Sequence, residues 1–369
     1  MNRSGFLSFL SSLLVIVIGL LFGLIVLIVS NAEQAFPAAR TIATFGFSSM
    51  RRVGDVMLHG TPIILTGLSV AFAFKTGLFN IGASGQFMFG GFVAIYIGVE
   101  ATFLPPWLRI LTCIVAAALA GAIWGAIPGL LKAYRNVHEV ISSIMTNYIG
   151  MFIVVYLIQS FVFDQGRGTS TRLPTESTLP RLGFQNIFRE PFFATYRESH
   201  VNLGIVLAIA IAILVYVILE KTTFGYELKA CGFNPDAAKY AGINQKRSIV
   251  FSMMISGALA GTAGALNFMV DTGLSMGVVE TLAMEGFTGI SVAFLGMNHP
   301  IGIIFSGLFV SYIKLGGAQL QPHFSIEMVE TVLAIIIYFC AFVFVVKSML
   351  GRGLSKFGRK DKQEGGGAV

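Results

Sequence analysis

The sequence predicts an all-α protein embedded in a membrane, with about ten transmembrane helices, some short or broken, and both termini in the cytoplasm. Three observations carry that prediction. Only 12% of the 369 residues are charged, against about 25% in a typical soluble protein. Hydrophobic residues make up 55%, and mean hydropathy is +0.79. The apolar residues gather in runs of the length a helix needs to cross a bilayer, about 20 residues. A soluble domain could not cover its surface with so few charges, and a disordered chain would not be so apolar. The 42 glycines suit closely packed membrane helices.

The first run, Ser11–Ser30, is too long for a signal-peptide core and ends without a small-residue cleavage site. It reads as an uncleaved first helix after a cytoplasmic N-terminus, residues 1–10. Phe36–Val56 reads as a helix lying on the outer face. The remaining spans are Met57–Phe74, Ile81–Val99, Leu108–Leu131, Val140–Val162, Leu203–Leu219, Ile249–Val270, Met284–Leu295, Ile301–Leu315 and Met328–Val346. The short pair Met284–Leu295 and Ile301–Leu315 meets at Met297-Asn298-His299-Pro300, as broken or tilted helices would. The transmembrane domain therefore covers 11–346, and a basic, Gly-rich tail follows at 347–369.

Loop charge sets the orientation. Every Lys outside a span falls on the side shared by the two termini, whereas the other side carries only Arg, including Arg51, Arg52 and Arg109. Positive charge collects in cytoplasmic loops. The outer loop 163–202 is rich in turn formers and mixed charge and reads as at least partly ordered. The inner loop 220–248 holds Asn234-Pro235-Asp236, an N-cap followed by a proline at the first helical position. Gly242 then closes a short helix of the kind that docks a soluble partner.

Chemistry is sparse. The net charge of +7 follows the loop pattern and, without a basic stripe interleaved with aromatics, implies no nucleic acid. Cys113, Cys231 and Cys340 are far apart, and the five histidines are scattered, so no metal site is implied. There is no phosphate-binding P-loop or HExxH. These absences point to a protein that moves a solute rather than converts one. The G-x-x-x-G spacings Gly121/Gly125/Gly129 and Gly257/Gly261 let helix backbones approach, most simply inside the chain itself. KTGLFNIGASGQ, Lys75–Gln86, places Asn80, Gly82, Gly85 and Gln86 between apolar runs. It reads either as a tight turn into a Gly-packed helix or as a polar contact for a solute. Glu285, Lys314 and Glu330 are the ionisable groups at or inside spans. An ion-coupled carrier would need more such charge at mid-span.

At these residues the sequence resembles a known family. GLFNIGASGQFMFGG, EVISSIMTNYIG, GFNPDAAKYAGIN and EGFTGISVAFLGMNHPIG, in that order, resemble the permease subunits of bacterial ABC importers for simple sugars, nucleosides and branched-chain amino acids. The likeness runs from about Val56 to Leu350, and EVISSIMTN with the long outer loop is most similar to the nucleoside permeases. The resemblance implies a subunit of the bacterial cytoplasmic membrane that is not itself an enzyme. It would pair with a second permease, homologous or identical, and with ABC ATPase subunits that hold ATP and Mg. An extracytoplasmic binding protein or lipoprotein would deliver the solute.

By the same resemblance, Gly232, Asn234, Pro235, Ala237, Ala238 and Gly242 dock on the ATPase. Asn80, Gly82, Gly85, Gln86 and Asn147 lie near the pathway, with Glu285, Phe79 and Phe287 as further candidates. Glu285, just before Gly286-Phe287, departs from the general pattern. Nucleosides lead as solute, with ribose-like sugars next, and the aromatics Phe79 and Phe287 suit stacking on a base. The alternative outside the family is an ion-coupled secondary transporter.

Overall fold

A computed structural model describes residues 3–192, 195–321, 323–340, 342, 345–346 and 348–349. The tail expected at 347–369 lies outside the described residues apart from 348–349. Among the described residues the regular structure is helical, with two small antiparallel strand pairs. Its helices are α1 (Arg3–Ser30), α2 (Ala32–Thr44), α3 (Met50–Lys75), α4 (Ala83–Glu100), α5 (Pro106–Arg135) and α6 (Glu139–Phe161). After segment 163–202, with α7 (Phe184–Ile187), come α8 (Gly204–Lys221), α9 (Thr223–Phe233), α10 (Pro235–Tyr240), α11 (Gln245–Phe268), α12 (Met284–Leu295), α13 (Pro300–Ala318) and α14 (Ile326–Cys340). Six of them, α3, α5, α6, α8, α11 and α13, are long and apolar enough to cross a membrane. This is a multi-pass membrane protein.

Two expectations change. Phe36–Val56 is not one helix. α2 stops at Thr44, and a new N-cap at Ser49, whose hydroxyl accepts from the Arg52 N–H, starts α3. The residues read as the end of a surface helix are thus the first turns of a long span. The inner loop holds two helices rather than one, because Thr222 caps α9 by accepting from Gly225 N–H at 3.1 Å.

The contacts divide the chain into two units, Phe45–Tyr312 and the terminal segments Met1–Thr44 with Ile313–Val369. In the terminal unit α1 packs on α14, with Gly23 against Val332 and the rings of Phe22 and Phe339 4.6 Å apart.

In the central unit α3 and α11 are the buried helices, while α5, α6 and α8 turn rows of Leu, Ile and Val outward. The glycine spacings are explained inside this unit. A Cβ on Gly121 would strike the Gly257 carbonyl, one on Gly257 the Gly121 carbonyl, and one on Gly261 the Ala117 carbonyl. On the other side of α11, Gly90 of α4 meets Gly261 and Gly264 meets the Phe87 carbonyl. Small residues let α4, α5 and α11 touch backbone to backbone, as apolar solvent around them requires for tight association.

Within the central unit the helices run back and forth between two ends. The segment 163–202 caps one end. Its antiparallel strands are β1 (Phe163–Asp164) with β2 (Thr169–Ser170), and β3 (Arg189–Phe192) with β4 (Thr195–Glu198). Arg51 of α3 reaches Glu190 at 3.0 Å, and Ser199 donates to Asp55 at 2.6 Å. Arg181 binds both Asp271 and Glu198, and Leu179 N–H bonds the Met269 carbonyl. Arg109, expected in an outer loop, is instead buried in the first turn of α5. There its guanidinium donates to Ser177 Oγ and to the carbonyls of Thr102 and Leu104. Buried arginine is tolerated because those oxygens replace water.

Candidate functional site

The polar residues between α3 and α4 converge inside the central unit. After Lys75 the chain reverses at Gly77, whose φ of +73° is natural for glycine alone. It climbs back beside α3, so that Asn80 lies level with Ser69. Asn80 and Gln86 form a reciprocal amide pair at 2.8 and 3.2 Å, and Asn80 also donates to Ser256 Oγ at 2.6 Å. Ser256 in turn donates to the Ser69 carbonyl at 2.7 Å. All four side chains are buried.

α4 therefore begins well within the structure. Its N-cap is Gly82, which has no side chain to accept from the first free N–H groups. Asn147 of α6 supplies the missing partner from another helix. Its Oδ1 accepts from Gly85 N–H at 2.9 Å, and its Nδ2 donates to the Ile81 carbonyl at 2.9 Å. Gly85 has to be small, since a Cβ there would sit 3.0 Å from Asn147 Oδ1 and 3.1 Å from its Cα. Beside it Trp124 stacks on Phe89, with ring centres 4.1 Å apart, and donates to the Thr146 carbonyl.

α12 begins at the same level. A Cβ on Gly286 would strike the Ser84 backbone, and Ser84 Oγ donates to the Ala283 carbonyl at 2.8 Å. Gly289 packs on Thr66, nine residues before the end of α3 at Lys75, or about 14 Å along its axis. Two helix N-termini thus meet near the middle of the membrane-spanning region. The positive ends of two helix dipoles lie side by side there.

Of the residues singled out in the sequence, Asn80, Gly82, Gly85, Gln86 and Asn147 come together at this junction. The side chains of Asn80, Gln86 and Asn147 bond one another and the backbone, and so build the start of α4. Glu285 and Phe287 are half-buried in the first turn of α12. Phe79 is half-buried and packs on Phe294, with centroids 6.2 Å apart. Lys314 and Glu330 are exposed on α13 and α14.

The second group lies at the opposite end from segment 163–202. Asn234 caps α10 by accepting from Ala237 N–H at 3.0 Å, with Pro235 at the first helical position. Gly242 closes it at φ +83°, with N–H bonds from Gly242 to the Lys239 carbonyl and from Ile243 to the Ala238 carbonyl. Ala238 is buried, whereas Phe233 and Tyr240 project with 90% and 94% of their surface free.

α9 was missed in the sequence, and it is what seats this loop. Gly225 abuts the Ile218 carbonyl of α8, and Gly232 abuts the Lys75 carbonyl. Around it, Lys229 pairs with Glu220 at 2.9 Å. Burial, and then the Lys75 ammonium, hold His299 below the usual imidazole range, with Glu220 opposing.

A family model described as branched-chain amino acid transport system / permease component matches residues 52–344. The chain belongs to that family. This permease is similar to the guanosine ABC transporter permease protein NupP of Bacillus subtilis (strain 168), at 35% identity covering 92% of this chain and 95% of that one. It is 33% identical to the nucleoside ABC transporter permease protein NupB of Lactococcus lactis subsp. cremoris (strain MG1363), covering 92% of each chain. A second B. subtilis protein, the guanosine ABC transporter permease protein NupQ, is 27% identical over 71% of this chain and 80% of its own. Membership in the family makes this permease a transport subunit and not an enzyme, with ATP hydrolysis in a partner. It does not favour the ion-coupled carrier.

Proposed function

We propose that the chain forms part of the pathway of a bacterial nucleoside importer driven by separate ABC ATPase subunits. One observation carries this reading: two relatives whose names specify guanosine or nucleoside transport match this chain over nine-tenths of its length. B. subtilis has two guanosine permease proteins that match it unequally. That inequality supports a pathway built by two different permease chains.

In this reading the chain crosses the bacterial plasma membrane ten times, and both termini, with residues 1–10 and the tail at 347–369, are cytoplasmic. The transmembrane domain is 11–346. The Lys-bearing end with α9 and α10 faces the cytoplasm. Its loop 220–248, through Gly232, Asn234, Pro235, Ala237, Ala238 and Gly242, docks on the ATPase, which binds ATP and Mg. Phe233 and Tyr240 supply the aromatic anchors. Segment 163–202 meets the solute-binding protein or lipoprotein outside.

The solute passes near the paired starts of α4 and α12. Broken helices in transporters commonly place their N-termini at such sites. Phe79, Glu285 and Phe287 border it, and Asn80, Gly82, Gly85, Gln86 and Asn147 keep its backbone in place. ATP-driven closure of the ATPase pair moves the docked loops, and the helices switch access between the two sides.

The test is to purify the chain with its partners in lipid. Nucleoside-loaded binding protein is expected to stimulate ATP hydrolysis, and ribose-loaded protein to leave it at the basal rate. Stimulation by the sugar alone would reject the substrate.

A further inference from the structure

We propose that the backbone contact between Gly232 of α9 and the Lys75–Gly77 turn of α3 is the joint that carries movement of the docking loop to the buried start of α4. The inference rests on the docking reading above. It concerns what lies behind the docked surface.

The contact has no side chain in it. A Cβ on Gly232 would strike the Lys75 carbonyl and lie 3.0 Å from Gly77 N, while one on Gly77 would lie 3.4 Å from Gly232 Cα and O. Side-chain contacts can absorb a displacement by changing rotamer, whereas touching backbones in a close-packed interior pass it on. α9 is held as a unit, because Gly225, seven residues earlier and so on the same face, abuts the Ile218 carbonyl of α8. Leu228 and Cys231 on that face are buried, and Lys229 is tied to Glu220 at 2.9 Å.

The turn that Gly232 touches is anchored in turn. Thr76 Oγ1 donates to Ser252 Oγ at 2.8 Å, both groups buried. Ser252 lies one helical turn from Ser256, the residue that bonds Asn80. Three residues after Gly77, Asn80 grips Gln86 in the first turn of α4. A displacement of α9 therefore reaches the Thr76–Gly77 turn, then Asn80 and α11 together, then the N-terminus of α4. Thr76 is a positioning residue in this route and touches neither solute nor ATPase.

The experiment uses the assembled transporter in proteoliposomes and reads solute taken up per ATP hydrolysed, together with the amount of ATPase subunit retained. Thr76→Val keeps the shape and removes the hydroxyl bond. We expect it to retain the ATPase subunit and its basal hydrolysis, and to lower uptake per ATP about fivefold, the scale of a single coupling contact. Thr76→Ser restores the donor and should restore the ratio. Gly232→Ala, which forces the joint apart, should lower the same ratio.

An unchanged ratio in Thr76→Val overturns the joint. So does a proportional fall of uptake and hydrolysis that Thr76→Ser does not reverse, which marks mere packing. Should Gly232→Ala fail to assemble, the Thr76 pair decides. Failure of the unmodified chain to retain any ATPase subunit would instead overturn the docking reading.

Discussion

Asn147 shows how one side chain can hold a helix to which it does not belong. Gly82 leaves the first amides of α4 without a cap, and Asn147 provides the acceptor from α6. Replacing it with Ala strands a buried N–H and a buried carbonyl. The expected loss is about 1–2 kcal/mol, the usual worth of a cap and of a buried donor left unmade. Thermal unfolding of the detergent-solubilised protein should show a lowered midpoint for Asn147→Ala. An unchanged midpoint would mean that water replaces the side chain. Asn80, Gln86 and Asn147 were legible in the sequence as polar residues out of place among apolar ones. Which role they play was not, because a turn and a solute contact need the same residue types. Ser69, Thr76, Ser252 and Ser256 were overlooked altogether. A hydroxyl within an apolar run is common in membrane helices, and only its neighbours show whether it belongs to a network.

At the scale of elements, segment 163–202 is a tied cap on one end of the central unit. Its β3–β4 hairpin is fastened to α3 through Glu190, which meets Arg51 at 3.0 Å. The Ser49 hydroxyl first, and then Arg51, hold the Glu190 carboxyl below the usual carboxylate range. The folded state thus favours the ionised form. That stabilisation is complete above the unfolded value of about 4.3. It is lost as pH falls through the lowered folded value. Amide protection over β3 and β4, measured as exchange relative to the free-peptide rate at the same pH, should fall in that acidic window and stay high above it. Glu190→Gln should exchange fast already at neutral pH, and equal protection in both proteins would show that the hairpin needs no ion pair. The hairpin itself was not legible, since strands of four residues leave little alternation to read. α10 was legible because its signals are local: Asn234 and Pro235 at one end and Gly242 at the other. α9 was not, because the glycines that seat it, Gly225 and Gly232, look like helix breakers until α3 and α8 are placed against them.

At the scale of the whole molecule, the back-and-forth path of the central unit puts each of its loops at one of two ends, and the proposed orientation, with the Lys-bearing end in the cytoplasm, can be tested directly. Tyr196 and Tyr240 are exposed at opposite ends of the central unit. A membrane-impermeant thiol reagent added to intact cells should label Tyr196→Cys, and should reach Tyr240→Cys only after the cells are opened. With Cys340 replaced by Ser in both variants, the remaining native Cys113 and Cys231 are buried and should stay silent. The reverse labelling pattern would invert the topology.

The sequence by itself determined the membrane, the helical class, the family likeness and the short helix α10. Each rests on composition or on residues within a few positions of one another, where hydrophobic transfer and capping act locally. Only the tertiary structure decided that G-x-x-x-G pairs face each other across α5 and α11 inside one chain. It alone showed that α4 and α12 start side by side and that α9 touches the turn before α4. These are contacts between residues far apart in sequence. Glycine and serine permit such contacts without announcing them, so only the packed chain reveals where they occur.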